Sequence, residues 1–505
     1  MSAATDSVTD MSAPVIAVPQ TELDDLRDRL RRTRWPRPWP GEASIGTDAD
    51  ELRRLVELWA GAFDWRAQEA AINALPSHVA AIEGVDVHYL RYDAERPGAL
   101  PIVITHGWPS SVRELAGLAE RLSSPSRFGG SADEAFTVIV PSLPGFAFSP
   151  QRNSLLDDLP THEIWHRLMH DELGFERYAA HGGDLGAGIS ARLAEAHPEA
   201  VAGIHVLAVA NPRQYEPASV TAEEQLYLDA VAEWSANDGA YQHQQSTRPM
   251  TLAYGLSDSP AGLLAWLLEK YRGWSQTPLD DDFVLTQASL YWFTNTVSTS
   301  FRPYYETGRG STVALTRVDA PTAVAVFPAD LAQPPRSWAE RSYNVTRYTR
   351  MPRGGHFAAR EQPELLAHDI TAFFADLRDR AGRKGFRAKG HLREDFFSVE
   401  PGFSSSLPGV LTQRGGHVRR SVPADREGAA VLARRRRTRE LVEDERAHAL
   451  QRAVVVEHEG QDDLGRRLAQ QHAPHARHHH ERAVGEAREV LEAVQSSRQP
   501  GQRVR

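Results

Sequence analysis

The 505-residue sequence contains no cysteine. Disulfides, thiolate zinc sites and a cysteine nucleophile are excluded by counting, and nothing calls for an oxidising compartment. Long apolar runs are also missing. The apolar run near residues 14–17 is too short, and residues 1–17 too acidic, for a secretory leader, and no stretch approaches the roughly 18 apolar residues of a membrane span. A cytoplasmic protein that meets no membrane is the expectation. Cationic excess is absent from most of the chain: residues 381–505 carry 24 Lys and Arg against 17 Asp and Glu, so the acidic surplus behind the net charge of −10 lies in residues 1–380. An acidic body argues against nucleic acid as a partner of the core, because phosphate binding relies on clustered cations. There are no internal repeats, and a homo-oligomer is compatible with the composition.

What the sequence does contain is a change of period. Residues 18–84 read as a helical extension, with Leu23, Leu26 and Leu30 and then Leu52, Leu55, Val56 and Trp59 at helical spacing. Between these, Trp35-Pro36-Arg37-Pro38-Trp39-Pro40 must be extended, since alternate prolines forbid a helix. Indoles at 35, 39, 59 and 65 suggest that the extension packs against the rest of the chain. From Val85, β-rich runs (85–91, 101–105, 136–140, 177–180, 201–207, 322–327, 344–348) alternate with helical ones (112–122, 161–173 capped by Thr161, 185–196). That alternation predicts an α/β fold, a mainly parallel sheet with helices on both faces. Residues 85–211 and 316–380 would form the two parts of this core. The aromatic-rich helical stretch 212–315 would be a lid over the carboxyl ends of the strands. Residues 1–17 read as a flexible N-terminus. Residues 381–505 read as a low-complexity, disordered tail, with an arginine run at 434–437 and histidines at 472, 475, 478, 479 and 480 but no defined metal site.

Gly182-Gly183-Asp184-Leu185-Gly186 falls where a strand should enter a helix. A strained elbow of this spacing lifts one side chain out of the sheet, and small flanking residues are needed where backbone and helix crowd. Asp184 stands in the nucleophile slot. An ordinary turn with Asp capping the helix uses the same residues, so the company it keeps matters. Thr105-His106-Gly107-Trp108-Pro109 follows a strand where a backbone N–H would help to form an oxyanion hole. Asp330 ends a later strand in Phe327-Pro328-Ala329-Asp330, and His356 follows the last one in Gly354-Gly355-His356-Phe357. Asp184, Asp330, His356 is the nucleophile–acid–base order of an α/β-hydrolase. A serine esterase is disfavoured by Asp184 itself. His106 and His181, at strand ends, read as structural groups.

Together these residues resemble the microsomal-type epoxide hydrolase family over residues 18–380. The likeness is carried by His106-Gly107-Trp108-Pro109, the Gly-Gly-Asp elbow, Asp258-Ser259-Pro260-Ala261-Gly262-Leu263, Tyr291-Trp292 and Gly354-Gly355-His356-Phe357. It implies an α/β-hydrolase fold with an N-terminal extension and an inserted helical lid. It also implies hydrolysis of an epoxide to a vicinal diol through an ester on Asp184, with His356 as base and Asp330 as its acid partner. The family's paired lid tyrosines fall on Tyr241 and Tyr304, with Tyr305 the donor if the register slips by one. The backbone N–H groups of Trp108 and Leu185 would meet the oxyanion. Leu185 stands where relatives often carry Trp, a change that should alter preference for substrate shape. No metal or organic cofactor is implied. The partners are a small apolar epoxide and water, with Trp234, Trp266, Trp274, Tyr291, Trp292 and Phe293 as candidate walls. A haloalkane dehalogenase shares the Asp, acid and His logic but needs halide donors, a role open to Trp108 and closed to Leu185. A non-catalytic scaffold with a basic binding tail is the remaining alternative.

Overall fold

The computed structural model describes residues 9–10, 15–37, 39, 45–152, 159–212, 215–309 and 315–382. The arginine run and the histidines of the tail lie outside the described residues. Nine strands are described: β1 (Thr9–Asp10), β2 (Ser77–Ile82), β3 (Val85–Tyr92), β4 (Leu100–Thr105), β5 (Phe136–Pro141), β6 (Tyr178–Gly182), β7 (Val201–Val206), β8 (Val318–Val326) and β9 (Tyr343–Arg350). They form one sheet in the order β1-β2-β3-β5-β4-β6-β7-β8-β9. β1, β2 and β3 pair antiparallel, β3 joins β5 antiparallel, and every pairing from β5 to β9 is parallel.

β4 and β7 are buried along their whole length, as strands covered on both faces must be. On one face, Leu115, Leu118 and Leu122 of the helix Val112–Ser123 meet Leu366, Ile370 and Phe374 of the helix Pro363–Gly382. On the other lie Ile164 and Trp165 of Thr161–His166 and Ala187, Ala191 and Ala194 of Asp184–Ala196. The small alanines let that last helix lie close to the sheet from which it springs.

Three local expectations change. Residues 77–82 form β2 rather than helix. They turn back into β3 through Glu83 and Gly84, whose φ values of +50° and +77° suit the two-residue hairpin turn that matches strand twist. Thr161 does not cap its helix: Pro160 holds the capping position, Thr161 is the first helical residue, and the helix runs on as a π-helical stretch over Arg167–Glu172. The packed chain also begins earlier than residue 18. Buried Ile16 donates its N–H to Asn73 Oδ1 at 3.0 Å and accepts from Asn73 Nδ2 at 2.7 Å.

The N-terminal helices Gln20–Arg31, Ala49–Ala60 and Trp65–Asn73 pack largely on the helical insertion. Trp59 is buried and donates to Ser289 Oγ at 3.0 Å, and Trp65 lies 4.9 Å from Phe293, centre to centre. Arg54 pairs with Asp281 and Arg272 with Glu51 at the edges of this contact. Buried indoles contribute more here than these partly exposed ion pairs. Trp39 is 76% exposed and does not join them. The insertion lies between β7 and β8, with helices from Ala222–Asn237 to Arg302–Gly308. Among the described residues no helix is long and apolar enough to cross a membrane.

Candidate active site

β6 ends at Gly182, and the helix Asp184–Ala196 starts two residues later. Asp184 has φ +48°, a left-handed value that costs a residue with a side chain on the order of 1–3 kcal/mol. The glycines make the turn sterically feasible. A Cβ on Gly182 would lie 2.2 Å from the carbonyl carbon of Gly186, and one on Gly186 would lie 2.1 Å from the carbonyl oxygen of Thr105. Gly186→Ala should therefore force the helix off β4 and destabilise the protein by about 3 kcal/mol or more, read as a lowered urea midpoint.

The loop after β4 closes on the elbow from above. A Cβ on Gly107 would lie 2.4 Å from Asp184 Cβ, so only glycine lets the next peptide come this near. The Trp108 N–H donates to Asp184 Oδ1 at 2.8 Å, and the Leu185 N–H adds a second backbone hydrogen bond to the same carboxylate.

His356 arrives from the loop after β9. Its Nδ1 lies 2.7 Å from Asp330 Oδ1, and its Nε2 faces Asp184 Oδ2 at 3.7 Å. Asp330 Oδ1 also accepts the Leu331 N–H at 2.7 Å, and a bridge between Ala329 and Gly355 ties the two loops together. The insertion holds the histidine from the other side. The His356 N–H donates to the Trp274 carbonyl at 2.8 Å, and Glu361 accepts the N–H groups of Gly355, Gln276 and Thr277 at 3.1, 2.8 and 2.9 Å.

Burial pushes the Asp184 carboxyl above the usual range, against the opposing pull of His356 and the two backbone donors. Burial alone would lower His356, but the charges of Asp330 and Asp184 outweigh it and raise the imidazole to about 9. His356 is therefore an imidazolium at neutral pH, and its charge favours the ionised form of Asp184.

Two phenols lie above. Tyr241 stacks on Trp108 with ring centres 5.3 Å apart, and Tyr304 meets the same indole edge-on at 5.9 Å and Tyr241 at 6.0 Å. Burial raises both phenols above their ordinary value, and the charge of Asp184 adds to this, so both stay protonated. Tyr305, next in sequence, is instead half-buried beneath Arg309, 5.1 Å from its ring centre.

Residues 11–115 match the family described as epoxide hydrolase N terminus, and residues 101–253 match the alpha/beta hydrolase fold. A putative epoxide hydrolase of Stigmatella aurantiaca is 40% identical over 380 residues, covering 72% of this chain and 84% of that protein. Epoxide hydrolase 1 of Oryctolagus cuniculus is 30% identical over 391 residues, covering 70% and 86%. The chain belongs to the epoxide hydrolase family. Among solved structures, the epoxide hydrolase of Aspergillus niger superposes with a TM-score of 0.65 at 30% identity, covering 74% of this chain and 97% of that one. The fold is that of an α/β-hydrolase, and the activity is epoxide hydrolysis.

The aromatic walls of this epoxide hydrolase are fewer than the sequence suggested. Trp274 meets His356 edge-on at 5.1 Å and lies 5.1 Å from Tyr241, and Trp234 meets Tyr241 at 6.3 Å. Trp292 and Phe293 turn away, toward Arg29 and Trp65 of the N-terminal helices. Tyr291 is buried and donates to the Ser110 carbonyl at 3.1 Å. His106 bridges Gly107 O and the Leu143 N–H, while His181 faces His205, which pairs with Asp369. Burial lowers both His106 and His181, the former to about 4, so neither is a charged partner of Asp184.

Two ionisable groups, the buried Lys270 and the half-buried Glu114, escaped the sequence reading. Lys270 holds its ammonium 4.6 Å from the Tyr241 ring centre, with Trp266 and Trp274 around it. Glu114 faces the same cavity as Asp184 and His356. Spacing alone marks Lys270 as an ordinary helix residue; the signal was its setting, Trp266 and Trp274 four residues to either side. Among the described residues, no group of three or more His, Asp or Glu side chains converges as metal ligands would.

Proposed function

We propose that Asp184 opens the epoxide and that His356 then drives hydrolysis of the resulting ester. The observation that carries this reading is the division of the Asp184 carboxylate: Oδ1 is held by the Trp108 N–H, while Oδ2 faces His356. A carboxylate, ordinarily of pKa near ~4, needs no base to become a nucleophile. It attacks an epoxide carbon, the ring C–O bond breaks, and the alkoxide takes a proton from Tyr304 or Tyr241, leaving a phenolate. Esterification removes one of the two charges that hold His356 at about 9, so the imidazolium gives its extra proton to solvent, to regain it when the charge on Asp184 returns, and the neutral imidazole serves as the base. His356 then takes a proton from water, and hydroxide adds to Asp184 Cγ. The oxyanion forms where the N–H groups of Trp108 and Leu185 already point. Collapse breaks the ester C–O bond, the diol oxygen takes the proton from His356, and the proton left on Asp184 returns to the phenolate.

The substrate is a small epoxide with an apolar body, held among Trp108, Trp274 and the two tyrosines. A dehalogenase reading fares worse, because the Trp108 indole N–H is committed to Ser300 Oγ at 3.2 Å and is not free for a halide. Diol formation from a panel of aryl, alkyl and cyclic epoxides, with halide release from haloalkanes followed in parallel, tests the assignment. Halide without diol would refute it.

The phenols give a separate prediction. Tyr241→Phe and Tyr304→Phe should each slow ester formation at least about 10-fold, and the double variant by about 10²–10⁴-fold, the span of general acid catalysis. Tyr305→Phe should leave it unchanged. Rapid-quench measurement of the first turnover distinguishes these outcomes.

A further inference from the structure

A cavity of about 20 Å³ borders Asp184 and is lined by Gly107, Trp108, Ser110, Glu114, Asp184 and His356, among others; neither Tyr241 nor Tyr304, the lid phenols, lines it. One water needs roughly 10–15 Å³ by that measure, so one or two fit. Ester hydrolysis requires a water beside both His356 and the Asp184 carboxyl, and this cavity adjoins both.

Glu114 is the carboxyl there that the two-step reaction leaves unused. Ser111-Val112-Arg113-Glu114 has the pattern of a capping box, and Ser111 does accept the Arg113 N–H at 3.3 Å at the start of the helix Val112–Ser123. In a capping box the glutamate would return to the serine N–H. Glu114 instead accepts the Ser110 hydroxyl and lines the cavity. Ser110 is itself fixed, being buried, with its carbonyl bound by the Tyr291 hydroxyl. A local rule is broken beside the reacting groups, which is where function overrides helix stability.

We propose that Glu114, held by Ser110, positions the water that hydrolyses the Asp184 ester. It accepts a hydrogen bond from one water O–H while the other proton passes to His356 Nε2, and it gains and loses no atom. The proposal rests on the two-step reading above. Burial pushes the Glu114 carboxyl up to about 7, against the Ser110 hydrogen bond and His356. Asp184, Glu361, Tyr271 and Tyr291 are the other titratable groups bearing on it. The charged form is the better acceptor, so ester hydrolysis should rise with pH through about 7.

The test is single-turnover reaction of the full chain with styrene oxide, following ester and diol separately. Glu114→Gln, isosteric and able to keep the Ser110 contact, should form ester at close to the wild-type rate. It should hydrolyse that ester ~10–100-fold more slowly, the scale of a misplaced reactant, and lose the rise through pH 7. Glu114→Ala, checked for an unchanged melting temperature, should do the same. Wild-type ester hydrolysis in Glu114→Gln, or equal slowing of both steps, would overturn the assignment. Absence of any ester in the wild type would instead remove the two-step reading beneath it, so the two failures are distinguishable.

Discussion

Asp184→Ala loses diol formation by about 10⁴-fold or more, the scale of removing a nucleophile whose neighbours act as a unit with it. No other group takes over. His356 is tied to Asp330 at 2.7 Å and Glu114 to the Ser110 hydroxyl, and neither stands at the elbow where Asp184 is lifted out of the sheet. The loss is chemical, not structural. Asp184 is an acid whose folded-state pKa is raised, so above its unfolded value the ionised group costs stability rather than adding it. The variant should therefore melt at the same temperature as the parent or higher, by thermal circular dichroism at pH 7. A lower melting temperature together with the lost activity would mean that the elbow had been misread as a chemical device.

How much of this was legible beforehand depends on how local each feature is. The elbow was readable because its cause is steric: three glycine positions, 107, 182 and 186, have no room for a Cβ, and that demand is written into the sequence whatever the fold around it. The parallel core was readable because β4 and β7, buried on both faces, have to be continuous apolar runs. β2 was not, since its Ser-His-Val-Ala-Ala-Ile has no clean alternation and its hairpin turn begins with Glu83 rather than Asn or Asp. Aromatic residues in the insertion announced burial but not against what. Trp274 and Phe293 look equivalent in sequence, yet one meets His356 and the other the N-terminal helices, because tertiary docking decides which helix face points where. Tyr304 and Tyr305 differ in the same way: one residue along a helix is a rotation of about 100°, enough to put one phenol over Trp108 and the other under Arg309. Glu114 was hidden more deeply, since its spacing from Ser111 is that of a helix cap and only the three-dimensional cavity shows that it is turned elsewhere.

His356→Gln should separate the two halves of the reaction. Glutamine preserves much of the volume between Asp330 and Asp184 but has no basic nitrogen, so attack on the epoxide survives while activation of water does not. Turnover falls by about 10²–10⁴-fold, and the ester accumulates on Asp184. Because ring opening is an addition with no leaving group, intact-mass spectrometry should show the protein heavier by the full mass of the epoxide, and Asp184→Ala in the same background should show no increase. The first step should run more slowly than in the parent near neutral pH. Removing the imidazolium takes away a cation 3.7 Å from Asp184 Oδ2 and leaves burial less opposed, so the Asp184 carboxyl rises further and ionises at higher pH. The sign follows: adduct formation in the variant should strengthen as pH rises, because only the ionised carboxylate attacks. A variant that hydrolyses no epoxide and carries no adduct at any pH, while the parent turns over the same substrate, would show that the ester on Asp184 is not an intermediate.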